Sequence, residues 1–411
     1  MAEALISLGR AKDNTGSLTS KLLTASIADK FFTVGALSCV IGIGYHGVHL
    51  WLMLKGKLPP YQHYMALRES HAYLQLFMFF GLFILGFVFQ AAGKIIGGTQ
   101  SASPRVLFLP LVIVASLTIF FIPGLNNLSR GLLTLPFLVA FIHVLAVVRS
   151  APKPNWRATV LMLLGLVGFN VAPWTSFFLP FPALVSLNLS VTMVVFGAGE
   201  QFVVNFAGGK RLQGTAGTAI VGLLSGVFTI GLLFILFPKL QTNSTLTTCW
   251  LSLLTLATLS YTWHTELFAL PMKLSLFRDT PVRIAIVTGY IWLLTGTTLG
   301  VIYGAIVSDG LLHIIALGWG ATIVFAVSGQ IVTSMSGTKY FKPERTKLAL
   351  LLWQPVIIDR GLLPVISPSW SFPWLTSVLA SIVVSWWALG IILAERRIIR
   401  AALKNISPHL I

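Results

Sequence analysis

The sequence predicts an all-α, polytopic membrane protein of twelve transmembrane helices, and three observations predict it. The 411 residues are 56% hydrophobic and only 9% charged, with a mean hydropathy of +0.87. That composition excludes an ordinary soluble enzyme or a disordered chain. Apolar segments long enough to cross a bilayer recur from end to end. A helix needs about 20 such residues for about 30 Å of hydrocarbon, and lipid leaves no backbone polar group unpaired. Finally, the basic residues alternate between connections as a twelve-span count requires.

Taken in order, residues 1–30 form a polar cytoplasmic segment. Residues 1–20 read as unordered, and Leu22, Leu23 and Ile27 between Lys21 and Lys30 mark a short interfacial helix. This segment lacks the apolar core and small-residue cleavage site of a secretory signal. The spans follow at 31–54, 71–93, 106–122, 131–148, 158–179, 183–205, 217–237, 246–268, 284–307, 311–333, 348–366 and 373–394. The transmembrane domain is therefore 31–394, followed by a basic cytoplasmic tail, 395–411. Asn170, Pro173 and Trp174 in the fifth span mark a kinked helix. Cys39 and Cys249, the only cysteines, fall inside spans and read as small apolar residues.

Of the 28 Lys and Arg residues, twenty-two lie in the N-terminal segment, the even-numbered connections and the tail. Both termini are thus expected in the cytoplasm, with the bilayer of the cell inner membrane as the chain's partner. The formal net charge of +17 is mainly topology. Spread thinly over seven short connections, it forms no nucleic-acid surface.

Ionisable groups at membrane depth are costly, so each calls for placement. The topology puts His71, near the start of span 2, and His313, near the start of span 10, at one depth near the outer surface. His46 and His49 lie three apart on one face of span 1, near the same leaflet. Arg68 and Glu69 precede span 2, Asp309 precedes span 10, and Asp359 and Arg360 occupy the outer half of span 11. A lone histidine at a span end usually satisfies an interfacial hydrogen bond. Two at matched depth on separate helices can instead hold a planar haem between neutral imidazoles. Ala72, Ala316, Gly318 and Gly320 would supply the slot, and Arg360 and Arg68 would meet the propionates, with Asp359 or Glu69 orienting them. A second polar set, Glu200 and Gln201 in span 6 with His264 and Glu266 in span 8, reads as either a proton path or a structural network. His143 lies near an inner span end, His63 in an outer loop and His409 in the tail.

Span 2 contains His71-Ala-Tyr-Leu-Gln-Leu-Phe-Met-Phe-Phe-Gly-Leu-Phe-Ile-Leu-Gly86-Phe87, which resembles the H-A-H-x-x-x-F-G-F-x-x-x-x-I-x-G-F stretch of the NnrS family. His313-Ile-Ile-Ala-Leu-Gly-Trp-Gly-Ala-Thr322, with Ser336-Gly337-Thr338, is similar to that family's second histidine helix and its G-x-T-G ending. Gly289-Tyr290-Ile-Trp-Leu-Leu is similar to its L-H-x-G-Y-x-W-L. The resemblance implies a haem- and copper-containing membrane protein tied to nitric oxide metabolism and nitrosative stress, with a bundle like that of the haem-copper oxidase catalytic subunit. It carries the low-spin haem ligands onto His71 and His313. Tyr73 and Val287 stand where the family has further histidines, and spans 6 and 7 contain none, which disfavours a three-imidazole copper centre and oxygen reduction. His46 and His49 remain spare ligands. Oxidase-like chains repeat four-helix units, which would make spans 2, 6 and 10 equivalent.

Three readings stay open from sequence: a haem b protein with an electron-transfer or nitric-oxide role and a redox partner on the outer side, a secondary transporter using intramembrane Glu200, Glu266 and Asp359, and a scaffold that has lost its cofactor.

Overall fold

A computed structural model describes residues 27–406, apart from 60–63, 121, 123, 178–179, 269–279, 305–307, 337–338, 368 and 371. Among the described residues there are no strands. The chain forms helices α1 (Ile27–Leu54), α2 (Tyr64–Ile96), α3 (Pro104–Phe120), α4 (Asn126–Ser150), α5 (Trp156–Trp174), α6 (Pro180–Gly199), α7 (Gly214–Leu236), α8 (Ser244–His264), α9 (Pro281–Tyr303), α10 (Ser308–Ser334), α11 (Pro343–Ile366) and α12 (Pro373–Arg400). Ten of these are long and apolar enough to cross a membrane. The other two are α3, which is short, and α8, in which nine of 21 residues are Ser or Thr. Three of those hydroxyls, on Thr255, Thr258 and Thr262, bond back to carbonyls one turn earlier, which helps a polar helix bury its side chains.

Sequential helices pack as neighbours, α3 on α4, α4 on α5, α7 on α8 and α8 on α9, while α12 returns to close against α1 and α10. Inside this ring sit α2, α6 and α10, with 72%, 94% and 78% of their apolar stretches buried, against 33–56% for the other seven apolar helices. These three most buried apolar helices form the centre of the bundle. Where α2, α10, α11 and α12 meet, Phe79, Phe325, Trp353 and Trp387 interlock with ring centroids 4.8 to 6.1 Å apart.

Several of these helices are not regular. Wider π turns interrupt α1 (Val40–Gly47), α2 (Leu74–Phe80), α6 (Asn188–Thr192), α10 (Ile314–Ala321) and α11 (Ile358–Leu362). Such turns loosen the backbone ladder and free carbonyls for other donors. Leu317 in α10 illustrates this, its oxygen accepting from the Trp353 indole at 3.1 Å and from Thr322 Oγ1 at 3.0 Å.

Two expectations change here. Helix α2 begins at Tyr64 rather than near 71, so Arg68 and Glu69 belong to it and His71 lies in its second turn. Asp309 likewise sits inside the first turn of α10. The interfacial helix expected around Leu22 and most of the 1–30 segment fall outside the described residues, as do His63, His409 and the end of the tail.

Candidate cofactor site

A cavity of about 390 Å³ opens among α1, α2, α6, α10, α11 and α12. Five of its six walls are the helices that carry the π turns just described. Its lining is mainly apolar, from Leu50, Trp51 and Leu76 to Phe79, Phe80 and Leu187, and it includes both His71 and His313. His71 and His313, brought together on paper by the topology, thus line one chamber.

Each ring is held in the same manner. His71 Nδ1 lies 3.0 Å from the carbonyl oxygen of Gly42, in the π turn of α1. His313 Nδ1 lies 2.7 Å from the carbonyl oxygen of Asp309, one turn earlier in α10. A carbonyl has no proton to give, so in both rings Nδ1 is the N–H donor and Nε2 keeps its lone pair. This is the arrangement by which proteins orient an imidazole for metal ligation. The α1 backbone must come close for it: a Cβ at Gly47 would sit 3.0 Å from His71 Cε1.

The charged part of the lining is Arg68, Asp309 and Arg360. Arg360 Nη1 donates to Asp309 Oδ2 at 2.8 Å, and Arg68 Nη2 stands 3.6 Å from Asp309 Oδ1. Two cations share one carboxylate, which leaves an excess positive charge beside an apolar slot. Neither expected partner does this work. Asp359 instead accepts from the Phe372 N–H at 2.8 Å and Thr376 Oγ1 at 2.9 Å, tying α11 to the start of α12. Glu69 accepts from the Phe177 N–H and faces Arg130. The i, i+4 spacing of Asp309 and His313 was the available sequence signal for the true partner.

Of the small residues expected to shape the slot, Ala72 and Ala316 line it. Gly318 and Gly320 do not; Cβ atoms there would meet Trp292 and Phe80 at 2.8 Å, so they serve helix packing. Gly47, Ala183 and Ala321 complete the narrow walls. Tyr64, Trp51 and Gln75 also line the cavity, and nothing in the sequence pattern singled them out.

His46 and His49 stand outside the lining. His46 Nδ1 is 3.3 Å from Ser70 Oγ, and His49 stacks on Tyr45 at 6.0 Å. Among the described residues no group of three or more His, Cys, Asp or Glu is arranged to hold a metal ion. The inner polar set disperses: His264 is exposed at the end of α8, Glu266 pairs with Lys210 on the surface, Gln201 is half-buried, and the Glu200 side chain lies outside the described residues. Glu266 also carries a positive φ of 54° in the turn that ends α8, and the Lys210 N–H donates to Thr265 O at 2.8 Å, so this set staples two loops together.

Tyr73, at the position of a further histidine in the resembling stretch, is fully buried. Its hydroxyl reaches the carbonyls of Pro173 and Thr175 at 3.1 and 3.2 Å, and its ring packs on Phe120 and Phe177. Tyr290 in α9 is likewise a core residue, stacked on Tyr261 at 5.4 Å.

A sequence model of the family described as NnrS protein matches residues 30–404. The chain belongs to the NnrS family. No curated protein matches it. With its ten apolar helices, this NnrS chain is a multi-pass membrane protein.

Proposed function

We propose that this NnrS-family protein binds haem b in the cavity, with His71 and His313 as axial ligands and Arg68 and Arg360 meeting the propionates. The observation that carries the reading is the pair of imidazoles, each with Nδ1–H on a backbone carbonyl, in the lining of one apolar chamber that also holds two arginines. The donor set fits the group: two neutral nitrogens for iron, small residues for a flat ring and cations for carboxylates. When bound, the haem supplies a one-electron couple, and two fixed imidazoles favour electron transfer over gas binding. Nitric oxide chemistry would require one imidazole to give way. For copper, no group of three or more His, Cys, Asp or Glu comes together among the described residues.

In this reading all twelve helices cross the inner membrane, both termini are cytoplasmic, and the histidine end faces outward, where a redox partner would approach. Of the three carboxylates that a transporter reading needs, Asp359 is engaged in the α11–α12 junction and Glu266 at the surface, and the Glu200 side chain lies outside the described residues.

The test is optical. Protein purified in mild detergent from haem-replete cells is expected to show a Soret band and, on reduction, sharp α and β bands. His71→Ala and His313→Ala should each lose or broaden them. Colourless protein, or unchanged spectra in both variants, would sink the proposal.

A further inference from the structure

Asp309 makes contacts that no other residue of the cavity combines. Its carboxylate takes Arg360 on one oxygen at 2.8 Å and Arg68 near the other at 3.6 Å. Its backbone carbonyl accepts from His313 Nδ1 at 2.7 Å, and Oδ1 stands 3.9 Å from the same nitrogen. The three partners come from α2, α10 and α11, so one residue joins both arginines to one of the two histidines. The junction is close, because α10 and α11 meet here on glycines. A Cβ on Gly310 would be 2.8 Å from the Gly361 carbonyl, and one on Gly361 would be 3.0 Å from the Ile314 backbone nitrogen.

We infer that Asp309 is a positioning residue that couples the charge at the arginine pair to the electron-donating strength of His313, and so sets the reduction potential of the group the two histidines hold. The inference rests on the haem reading above. Its physical content is electrostatic. The carboxylate offsets part of the arginine charge and lies beside His313 in a low-dielectric wall, where a unit charge acts strongly. Both effects stabilise the more positive, oxidised iron. Replacing Asp309 by Asn removes the negative charge, leaves both arginines uncompensated and makes the His313 ring a weaker donor. The uncompensated arginines and the weaker donor both favour the reduced form.

A potentiometric titration of the full-length, haem-loaded protein tests this. Asp309→Asn is expected to shift the ratio of reduced to oxidised protein at fixed potential by about tenfold toward reduced, which for a one-electron couple is about 59 mV upward. Asp309→Glu, which restores the charge, should return most of the shift. Arg360→Gln removes a cation and should move the potential the opposite way; an Asp309→Asn protein that no longer retains haem overturns the inference, since Asp309 then holds the group rather than tuning it. Shifts below about threefold, or shifts of the same sign in Asp309→Asn and Arg360→Gln, overturn the inference while leaving the haem assignment intact. Wild-type protein without a Soret band removes the haem assignment before any titration.

Discussion

Gly361→Ala is the substitution that most severely tests how the site is held. Gly361 follows Arg360 in the π turn of α11 and faces Ile314, the residue after His313. A Cβ there would lie 2.8 Å from Ile314 Cγ1, 3.0 Å from its backbone nitrogen and 3.2 Å from its Cα. Non-bonded carbons settle at about 3.5–4.0 Å, so the helices must part by about 0.5 Å. Two of the three obstructing atoms are backbone and cannot swing aside. Overpacking of this kind costs about 1–3 kcal/mol. A half-ångström displacement along the 2.8 Å Arg360–Asp309 bond takes it beyond the ~3.2 Å reach of an N–H···O contact. Thermal unfolding in detergent, followed by tryptophan fluorescence, should show a midpoint lower by several degrees, on the scale of ~2–4 °C per kcal/mol for mid-sized chains. Haem retention should fall with it. Gly222→Ala in α7 is the control, since a Cβ there meets nothing within 4 Å; helix propensity makes it neutral or stabilising by up to about 1 kcal/mol. If Gly361→Ala is as stable as Gly222→Ala and keeps its haem, the close α10–α11 junction is not what holds the charged wall.

Two further substitutions separate packing from the site. Tyr73→Phe removes a hydroxyl bonded to the Pro173 and Thr175 carbonyls; it should cost about 0.5–1.5 kcal/mol of stability and leave the absorption spectrum unchanged, because Tyr73 does not line the cavity. Asp359→Ala removes the acceptor for the Phe372 N–H and the Thr376 hydroxyl at the start of α12. A loss of about 1–2 kcal/mol is expected from such a cap, again with the spectrum preserved, whereas a large spectral change would return Asp359 to the site.

The joining of His71 to His313 was legible because span order and basic-residue asymmetry are written directly in composition. Once the spans are ordered, depth follows. The start of α2 was not legible, because Arg68 and Glu69 look like residues outside hydrocarbon. Their charges are met by tertiary partners, Asp309 for Arg68 and the Phe177 N–H with Arg130 for Glu69, and no local pattern announces those. The π turns have no compositional mark at all: His71 and His313 are each followed by stretches as apolar as any regular helix. Gly318 and Gly320 misled for the opposite reason, since small residues serve cofactor slots and helix contacts alike, and only the facing residue tells which. Asp359 and Arg360 are adjacent in sequence yet point to different tasks, one to the α12 cap and one to the cavity.

The central claim, that His71 and His313 are the two ligands of one iron, is tested most directly by electron paramagnetic resonance of the oxidised, full-length protein. A low-spin ferric signal of a bis-imidazole site is expected in the wild type and in the His46→Ala and His49→Ala variants, converted to high spin or lost in His71→Ala and in His313→Ala. A low-spin signal that persists undiminished in both of the latter would contradict it.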